Sequence, residues 1–300
     1  MKTKTLARTL LPLLLLAALP AAAQTDYSKI EIKAQELAPG LYMLEGAGGN
    51  LGLSTGEDGT LLIDDQYAPL TEKIKAAVAK ITPKPIRLVV NTHWHGDHTG
   101  GNENLGKDGA IIVAHDNVRA RMAVEQSLKA FNTMVPPSPH IALPVITFAD
   151  GVTFHVNGDE VVVFHVAPAH TDGDSVVHFK KANVIHTGDL FFNGLYPFID
   201  VENGGGIDGV IAAGKKILAM CDDNTKLIPG HGPVAKKADL ANFIQVMEKI
   251  RANVAALVAA GKTQEEALAA KPTAEFDEVW GKAFLKPDTF AGIVYQSLKH

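Results

Sequence analysis

Four side chains of the kind that bind metal ions lie within six residues of this sequence: His93, His95, Asp97 and His98. Neutral imidazoles and carboxylates are the ligands that Zn²⁺ takes, and iron or manganese accepts the same set. Acid–base catalysis needs only one or two histidines, and a polar surface loop needs none. The segment follows residues 86–90, a short β-branched run typical of a buried strand. The sequence therefore predicts a metal site on a loop at the end of a strand, where sites are usually built.

The spacing His-x-His-x-Asp-His resembles that of the metallo-β-lactamase-fold hydrolases, a superfamily that includes glyoxalase II, lactonases and zinc β-lactamases. Three shorter motifs follow in the family's order, each after a predicted strand, and they contain His170, Asp189 and His231. The resemblance covers roughly residues 30–260. It implies an α/β (α+β) fold, a four-layer αββα sandwich with two sheets face to face, helices outside and metal loops along one edge.

The resemblance also implies two zinc ions per chain, with iron or manganese as alternatives. The implied ligand set has two triads and one bridge: His93, His95 and His170 for the first ion, Asp97, His98 and His231 for the second, and Asp189 between them. Asp97 and His231 are also the residues assigned to catalysis. Asp64, which follows a predicted strand, matches a family aspartate that supports the metal loop. The alternative is that Asp64 only starts a turn.

The chemistry implied by the resemblance is hydrolysis of an acyl group. A water shared by two cations loses a proton near neutral pH, and the resulting hydroxide attacks the acyl carbon while the metals polarise the carbonyl. We therefore expect a small-molecule acyl substrate, namely an ester, lactone, thioester or lactam. A β-lactamase proper is one alternative. However, zinc β-lactamases of the first subclass carry cysteine where Asp189 stands, and a substrate-binding lysine where this chain has Phe192.

Two alternatives of other classes are also considered. A non-catalytic zinc-binding protein of the cell envelope would have a closed, fully ligated site, whereas a shared aspartate leaves room for water. A redox di-iron protein of the family would usually carry glutamate in place of His95, together with a flavin-binding domain for which the sequence offers no segment. A glyoxalase II would need basic residues in a C-terminal helical domain, and the predicted tail here is short. Hydrolysis is therefore favoured.

Residues 1–23 have the pattern of a secretory signal peptide. A basic start precedes an apolar run over residues 10–20, and three alanines end at Ala23. We expect cleavage after Ala23 and a periplasmic or secreted protein with no membrane association thereafter. The apolar run is too short to span a bilayer comfortably, although a retained anchor is the alternative. Residues 24–300 are then expected to form a single hydrolase domain with a short helical tail from about residue 262.

Composition excludes some partners. Removing Lys2, Lys4 and Arg8 from the 28 basic residues leaves 25 against 33 acidic ones, a formal charge of −8. An acidic chain without a basic stripe is a poor ligand for nucleic acid, so we expect no nucleic-acid partner. The single cysteine, Cys221, cannot form an intramolecular disulfide and is expected in the core. The sequence does not indicate an oligomeric state.

Apolar periodicity and turn residues predict the elements around the motifs. A hairpin turns at residues 46–50, and it either closes over the substrate or is a plain turn. Helices are expected from Pro69 to Ile81, from Asp116 to about Phe131, and over residues 209–220 and 239–260. The proline-rich segment 132–144 and the loop 191–206 are expected beside the substrate cleft. His155, His165, His178 and His186 lie within predicted strands, so we expect them to be packed rather than to bind metal.

Overall fold

The computed structural model describes residues 25–299, so the predicted signal peptide lies outside the described residues. A seven-stranded sheet, in the order β1-β2-β3-β4-β5-β6-β9, forms the first half of the fold. Its strands β1 to β4 are antiparallel neighbours, and β4, β5, β6 and β9 run parallel. Their bounds are β1 Lys33–Ala38, β2 Leu41–Glu45, β3 Leu51–Gly56, β4 Gly59–Ile63, β5 Ile86–Val90, β6 Ile111–His115 and β9 Ile146–Phe148.

A six-stranded sheet in the order β10-β11-β12-β13-β14-β15 forms the second half. All of its neighbours are antiparallel except β13 and β14, which run parallel. Its strands are β10 Gly151–Val156, β11 Asp159–His165, β12 Ser175–Phe179, β13 Val184–His186, β14 Lys226–Ile228 and β15 Ala235–Lys236. A separate two-stranded ribbon pairs β7 Gln126–Leu128 with β8 Thr133–Val135.

The helices connect these strands or follow them. They are α1 Thr71–Ile81, α2 Gly96–Thr99, α3 Asn102–Lys107, α4 Asp116–Met122, α5 Ile207–Met220, α6 Lys237–Ala259, α7 Gln264–Ala269, α8 Asp277–Trp280 and α9 Pro287–Ser297. None of the helices in residues 25–299 is both long enough and apolar enough to cross a membrane.

The two sheets pack through alternate residues of their strands. Because successive side chains of a strand point to opposite faces, Leu61 and Ile63 of β4 face the second sheet while Leu62 faces outward. Val177 of β12 faces the first sheet, and Val176 packs on the helices behind. The strands are therefore apolar on both faces, which is the pattern of a sheet covered on both sides.

Helices cover the outer face of each sheet. The predicted apolar stripe of α1 buries Ile74 and Val78 against the first sheet. Helices α5 and α6 bury Ile217 and Phe243 in the cluster behind the second sheet. The order helix, sheet, sheet, helix confirms the predicted αββα sandwich.

One predicted helix was wrong in its length. The helix that starts at Asp116 ends at Met122 instead of continuing to Phe131. At the end of the helix, the Met122 carbonyl accepts a hydrogen bond from Ser138 N at 2.8 Å, and the Arg121 side chain donates to Asp172 at 3.2 and 2.7 Å. Gln126 then donates to the Arg121 carbonyl at 2.9 Å and closes the helix end. These tertiary contacts outweigh the local helical propensity, and the chain continues as the β7–β8 ribbon.

The residues after α6 pack back on the helical layer. Thr263 and Glu266 form a capping box at the start of α7. Farther along, Phe290 of α9 is fully buried and stacks on Tyr196, with ring centroids 4.7 Å apart. The hydroxyl of Tyr196 donates to Asp277 at 2.9 Å. The C-terminal segment thereby fixes one end of the loop that follows Asp189.

Candidate metal centre

The ligand candidates lie on loops at the ends of strands in both sheets. The chain leaves β4 at Asp64 and leaves β5 at Asn91, and these two strands run parallel, so their carboxyl ends share one edge. Asp189 follows β13 and His231 follows β14, which form the parallel pair of the second sheet. His170 lies on the connection between β11 and β12. The sandwich therefore brings these separate loops, from Asp64 in the first sheet to His231 in the second, to one edge.

The predicted first set of ligands is assembled and buried. One ligand atom from each of His93, His95, His170 and Asp189 lies within 4.8 Å of every other, and all four residues are buried. Three imidazoles and a carboxylate at this separation match the donor set of a divalent transition metal. The structure therefore groups these residues as the sequence predicted.

The predicted second set is assembled beside the first. Asp97, His98 and His231 each offer one ligand atom within 4.8 Å of the other two. The side chains of Asp97 and His231 retain about a fifth of their surface, at 21% and 22%, and they face the adjacent cavity. The second set thus opens toward solvent, whereas the first is enclosed.

Asp189 touches both sets. Its Oδ1 lies 3.0 Å from His98 Nε2, and its Oδ2 lies 3.4 Å from His231 Nε2, both in the second set. Its Oδ2 also lies 3.5 Å from His170 Nε2 in the first set. The Asp189 carboxylate therefore lies between the two sets, at the position that the resemblance implies for a bridging ligand.

Buried atoms without hydrogen-bond partners show that the donor set fits a cation. His93 Nε2, His98 Nε2 and Asp189 Oδ1 are fully buried, and none makes a hydrogen bond of acceptable geometry within the described residues. Buried polar atoms are normally satisfied, and each unsatisfied one is costly. All three belong to the two ligand sets, so metal coordination would satisfy them together.

The outward nitrogens of four imidazoles are held by fixed partners. The pairs are His93 Nδ1 with Thr92 Oγ1 at 3.0 Å, His95 Nε2 with Asp200 Oδ2 at 2.9 Å, His98 Nδ1 with Asp64 Oδ2 at 2.7 Å, and His170 Nδ1 with the Phe198 carbonyl at 2.8 Å. Such partners set which nitrogen is free to bind a metal and raise its basicity. Each ring is thereby aimed at the centre.

Asp64 occupies the supporting position that the resemblance implies. It also accepts hydrogen bonds from the backbone amide and the hydroxyl of Thr92, at 2.7 and 2.8 Å. The residue is fully buried and has a φ of 59°, in the left-handed region that aspartate tolerates better than most residues. Asp64 therefore connects the end of β4 to the loop that carries His93 and His98.

Asp200 is a site residue that the sequence analysis did not find. It is buried in the loop 191–206, which was expected beside the site, but no motif distinguishes it from other loop aspartates. Asn203 donates to both of its oxygens at 2.9 and 2.8 Å and fixes the carboxylate against His95. The only sequence signal is that an acidic residue lies in a loop predicted to flank the metals.

The charges in the site act on one another. Burial lowers the pKa of His170 to about 4, which favours the neutral imidazole that a metal needs. Burial raises the pKa of Asp97, but the charges of His98 and His231 hold it at about 2. Burial lowers the pKa of His231, but the carboxylates of Asp189 and Asp97 raise it to about 9. A metal would replace the proton on His231 as the charge that balances these carboxylates.

The glycine-rich turn between β2 and β3 is attached to both metal loops. Gly49 N donates to the Asp97 carbonyl at 3.1 Å, and Asn50 N donates to the Gly230 carbonyl at 2.7 Å. The Asn50 side chain donates to the carbonyls of Pro229 and Gly232 as well. These bonds fix the turn to both loops, which argues against a hairpin that closes over the substrate.

The strand histidines belong to neither ligand set among the described residues, but the expectation that all four are packed was wrong for His155, which is exposed on β10. His186, the nearest to Asp189 in sequence, is buried and accepts a hydrogen bond from Gly188 N at 3.1 Å, while its Nε2 lies 3.0 Å from the Asn50 carbonyl. His186 therefore supports the turn that carries Asp189. His165 stacks on His115 at 3.8 Å, away from the centre.

Comparisons with known proteins agree with this arrangement. The model of the family described as "Metallo-beta-lactamase superfamily" matches residues 46–258. A hydroxyacylglutathione hydrolase from Polaromonas sp. is 27% identical over 54% of this chain and 55% of its own length. One from Nitrosococcus oceani is 29% identical over 54% of this chain and 55% of its own length. The chain thus aligns with only about half the length of these curated relatives.

Two solved structures show the same fold. A metallo-β-lactamase from Pontibacter korlensis has a TM-score of 0.60 and 17% identity, covering 73% of this chain and 99% of that one. A sec-alkylsulfatase from Pseudomonas sp. has a TM-score of 0.64 and 20% identity, covering 88% of this chain and 50% of that one. At these identities the likeness establishes the architecture.

The close approach of Gly49 to His98 predicts a selective effect on metal content. A Cβ at Gly49 would lie 2.0 Å from His98 Cε1, and His98 cannot retreat because Asp64 holds its other side. We expect Gly49→Ala to lower the metal content of the protein, because His98 is pushed out of the second ligand set. Elemental analysis of purified protein measures this. Gly96→Ala is the matched control because its Cβ meets nothing within 4 Å. Equal metal content in both variants would refute the expectation.

Asp200 is expected to tune metal affinity through His95. In Asp200→Asn, an amide NH₂ would replace one carboxylate oxygen and face an N–H donor of Asn203 or of His95. One hydrogen bond would be lost, and the His95 imidazole would no longer be held in its orientation. We expect metal affinity to fall about 10- to 100-fold, the usual effect of losing such a partner. Competition with a chromogenic chelator measures it. Glu202→Gln, two residues away and paired with Lys129 on the surface, should leave the affinity unchanged. An unchanged affinity in Asp200→Asn would show that Asp200 does not position His95.

Proposed function

Because this chain belongs to the metallo-β-lactamase superfamily, we propose that it is a metal-dependent hydrolase that uses two zinc ions to cleave a small acyl substrate. The observation that carries the proposal is the position of Asp189, whose carboxylate lies within 3.5 Å of histidine nitrogens from both ligand sets. A carboxylate shared in this way supports a dinuclear centre. His93, His95 and His170 would hold one ion, and Asp97, His98 and His231 the other.

Bound metals would supply Lewis acidity, which polarises a carbonyl and lowers the pKa of a water. The protein supplies position and access. Asp97 and His231 are the ligands that line the cavity most openly, so they would face the substrate directly, in agreement with the catalytic role predicted for them. No serine or cysteine lines this cavity in residues 25–299, and Cys221 is buried elsewhere. These features favour direct attack by water over a covalent enzyme intermediate.

The cavity also argues against a purely structural metal site. Its volume is about 560 Å³, and its lining includes ligand residues of both sets, His95, Asp97, Asp189 and His231. A structural zinc site is normally closed by its protein ligands. An accessible space of this size beside the ligands is what a small substrate requires.

A β-lactam is a weaker candidate than an ester, lactone or thioester. Phe192, at the position where a drug-binding lysine would stand, is buried and stacks on the His231 ring with centroids 4.7 Å apart. The phenyl ring thus occupies the space beside a ligand and offers no charge to a carboxylate.

Export is the second part of the proposal. The basic start, the apolar run and the alanines before Gln24 support secretion to the periplasm or the medium. Expression of the full sequence in a bacterial host, followed by N-terminal sequencing of the periplasmic and secreted protein, should give Gln24 as the first residue. Retention of the full-length chain in the cytoplasm would refute export without bearing on the hydrolase proposal.

The test of the hydrolase proposal is turnover of an acyl panel by purified, zinc-loaded protein with and without a chelator. The panel contains a chromogenic cephalosporin, a γ-lactone, an acetyl thioester and an aryl acetate. We expect chelator-sensitive hydrolysis of at least one non-lactam substrate. Asp189→Ala should lower that rate at least about 100-fold, since removing a ligand should cost no less than removing its supporting partner.

Asp208→Ala is the matched control, because Asp208 is 67% exposed and pairs only with Arg251 in the described residues. Full metal content and full rate in Asp189→Ala would refute the dinuclear assignment. Efficient cephalosporin turnover would instead identify a β-lactamase and contradict the argument from Phe192.

A further inference from the structure

The cavity beside the metal centre has an aromatic wall. Four phenylalanines line it, Phe131, Phe192, Phe198 and Phe284, and Leu128 and Val135 of the β7–β8 ribbon complete the apolar lining. The uncharged polar side chains on the lining are Tyr67 and Thr133. The reacting group would thus lie against charged ligands, while the rest of the substrate would lie against hydrocarbon.

Three of the rings form a continuous path from the centre to the rim. Phe198 lies 5.6 Å from the His95 ring between centroids, Phe131 lies 4.8 Å from Phe198, and Phe284 lies 5.7 Å from Phe131. Their exposure rises along the path, from 7% at Phe198 to 39% at Phe131 and 61% at Phe284. Exposed phenylalanines arranged as one surface indicate a binding site for an apolar group.

No lysine or arginine lines this cavity in residues 25–299. Of the lysines closest to the lining in sequence, Lys286 donates to the Ala283 carbonyl at 3.3 Å, and the other two are paired with glutamates. Lys129 lies 2.9 Å from Glu202, and Lys282 lies 2.8 Å from Glu278. An anionic group placed on the aromatic wall would lose its water and gain no partner, which strongly disfavours it.

We propose that the substrate is an uncharged acyl compound whose acyl substituent is an extended alkyl chain, bound along the path Phe198–Phe131–Phe284. This inference rests on the proposed hydrolase function and adds the class of substrate. The alkyl chain would contact the three rings in turn, and the scissile carbonyl would face Asp97 and His231. A glutathione thioester or a β-lactam, each of which carries carboxylates away from the scissile bond, fits this wall poorly.

Chain-length dependence of hydrolysis tests the proposal. The zinc-loaded protein is assayed with p-nitrophenyl acetate, butyrate, hexanoate and octanoate. We expect kcat/KM to rise about 2- to 4-fold for each added methylene that becomes buried. Phe131→Ala should lower kcat/KM for octanoate about tenfold and leave acetate within about twofold, since an acetyl group does not reach Phe131. A flat dependence on chain length with active enzyme would overturn this inference and leave the hydrolase proposal standing.

Met134→Ala is the matched control. Met134 lies on the same short strand as two lining residues, Thr133 and Val135, but is not on the cavity lining, and it is 56% exposed. Successive strand residues point to opposite faces, so its removal should leave the chain-length dependence unchanged. An equal loss in Met134→Ala and Phe131→Ala would show that the ribbon matters only as a support and would overturn the assignment of the path.

A binding experiment tests the alkyl site independently of hydrolysis. Calorimetry compares octanamide with its analogue that carries a carboxylate at the far end of the chain. We expect octanamide to bind at least about tenfold more tightly to the metal-loaded protein, and Phe131→Ala to remove that preference. If no substrate of the acyl panel is cleaved but this preference is found, the alkyl site stands and the acyl-hydrolase proposal fails. Equal binding of both compounds would overturn the alkyl site whatever the enzyme hydrolyses.

Discussion

The structure depends on the burial of one carboxylate among histidines. Asp189 is almost fully enclosed and approaches the imidazoles of His93, His98, His170 and His231. A carboxylate removed from water is strongly unfavourable unless positive charge surrounds it. The loops that supply this charge come from both sheets, so the two halves of the sandwich must meet at this edge for Asp189 to be compensated. Fold and site are therefore coupled.

The same coupling extends to the residues behind the ligands. Asp64 ties the end of β4 to His98, Asp200 holds His95 from the second half of the chain, and the turn at Asn50 is bonded to the loop of His231. A centre assembled from separate loops keeps its geometry only if each imidazole is fixed from behind. These partners explain why the glycine-rich turn is a structural part of the centre.

The site has two kinds of surface, the charged ligands and the aromatic wall. The charged ligands lie at the carboxyl ends of the sheet strands, which are the most constrained part of the fold. The outer part of the aromatic wall comes from the β7–β8 ribbon and from Phe284 in the C-terminal segment, whereas Phe192 and Phe198 belong to the loop that follows Asp189. Recognition elements built outside the sandwich can differ without disturbing the metal ligands. The proposed substrate preference therefore depends largely on segments that lie outside the two sheets.

The sequence alone was enough to predict the features that depend on residues close together in the chain. His93, His95, Asp97 and His98 are neighbours in the chain, so their spacing is visible directly, and the alternation of β4 and the apolar stripe of α1 follow from strand and helix periods. The motifs with His170, Asp189 and His231 were located by their resemblance to the family's motifs, in the family's order and each after a predicted strand. All seven of these side chains come together in the structure as expected.

Tertiary structure decided whatever depends on contacts between distant segments. Asp200 pairs with a histidine 105 positions away, and Gly49 must be small because His98 packs against it. Helix α4 ends where the backbone amide of Ser138 donates to the Met122 carbonyl. Phe131 and Phe284 form one wall only after the ribbon and the tail have packed. No local periodicity or motif in the sequence marks these contacts. They become favourable only when the two sheets and their loops have assembled.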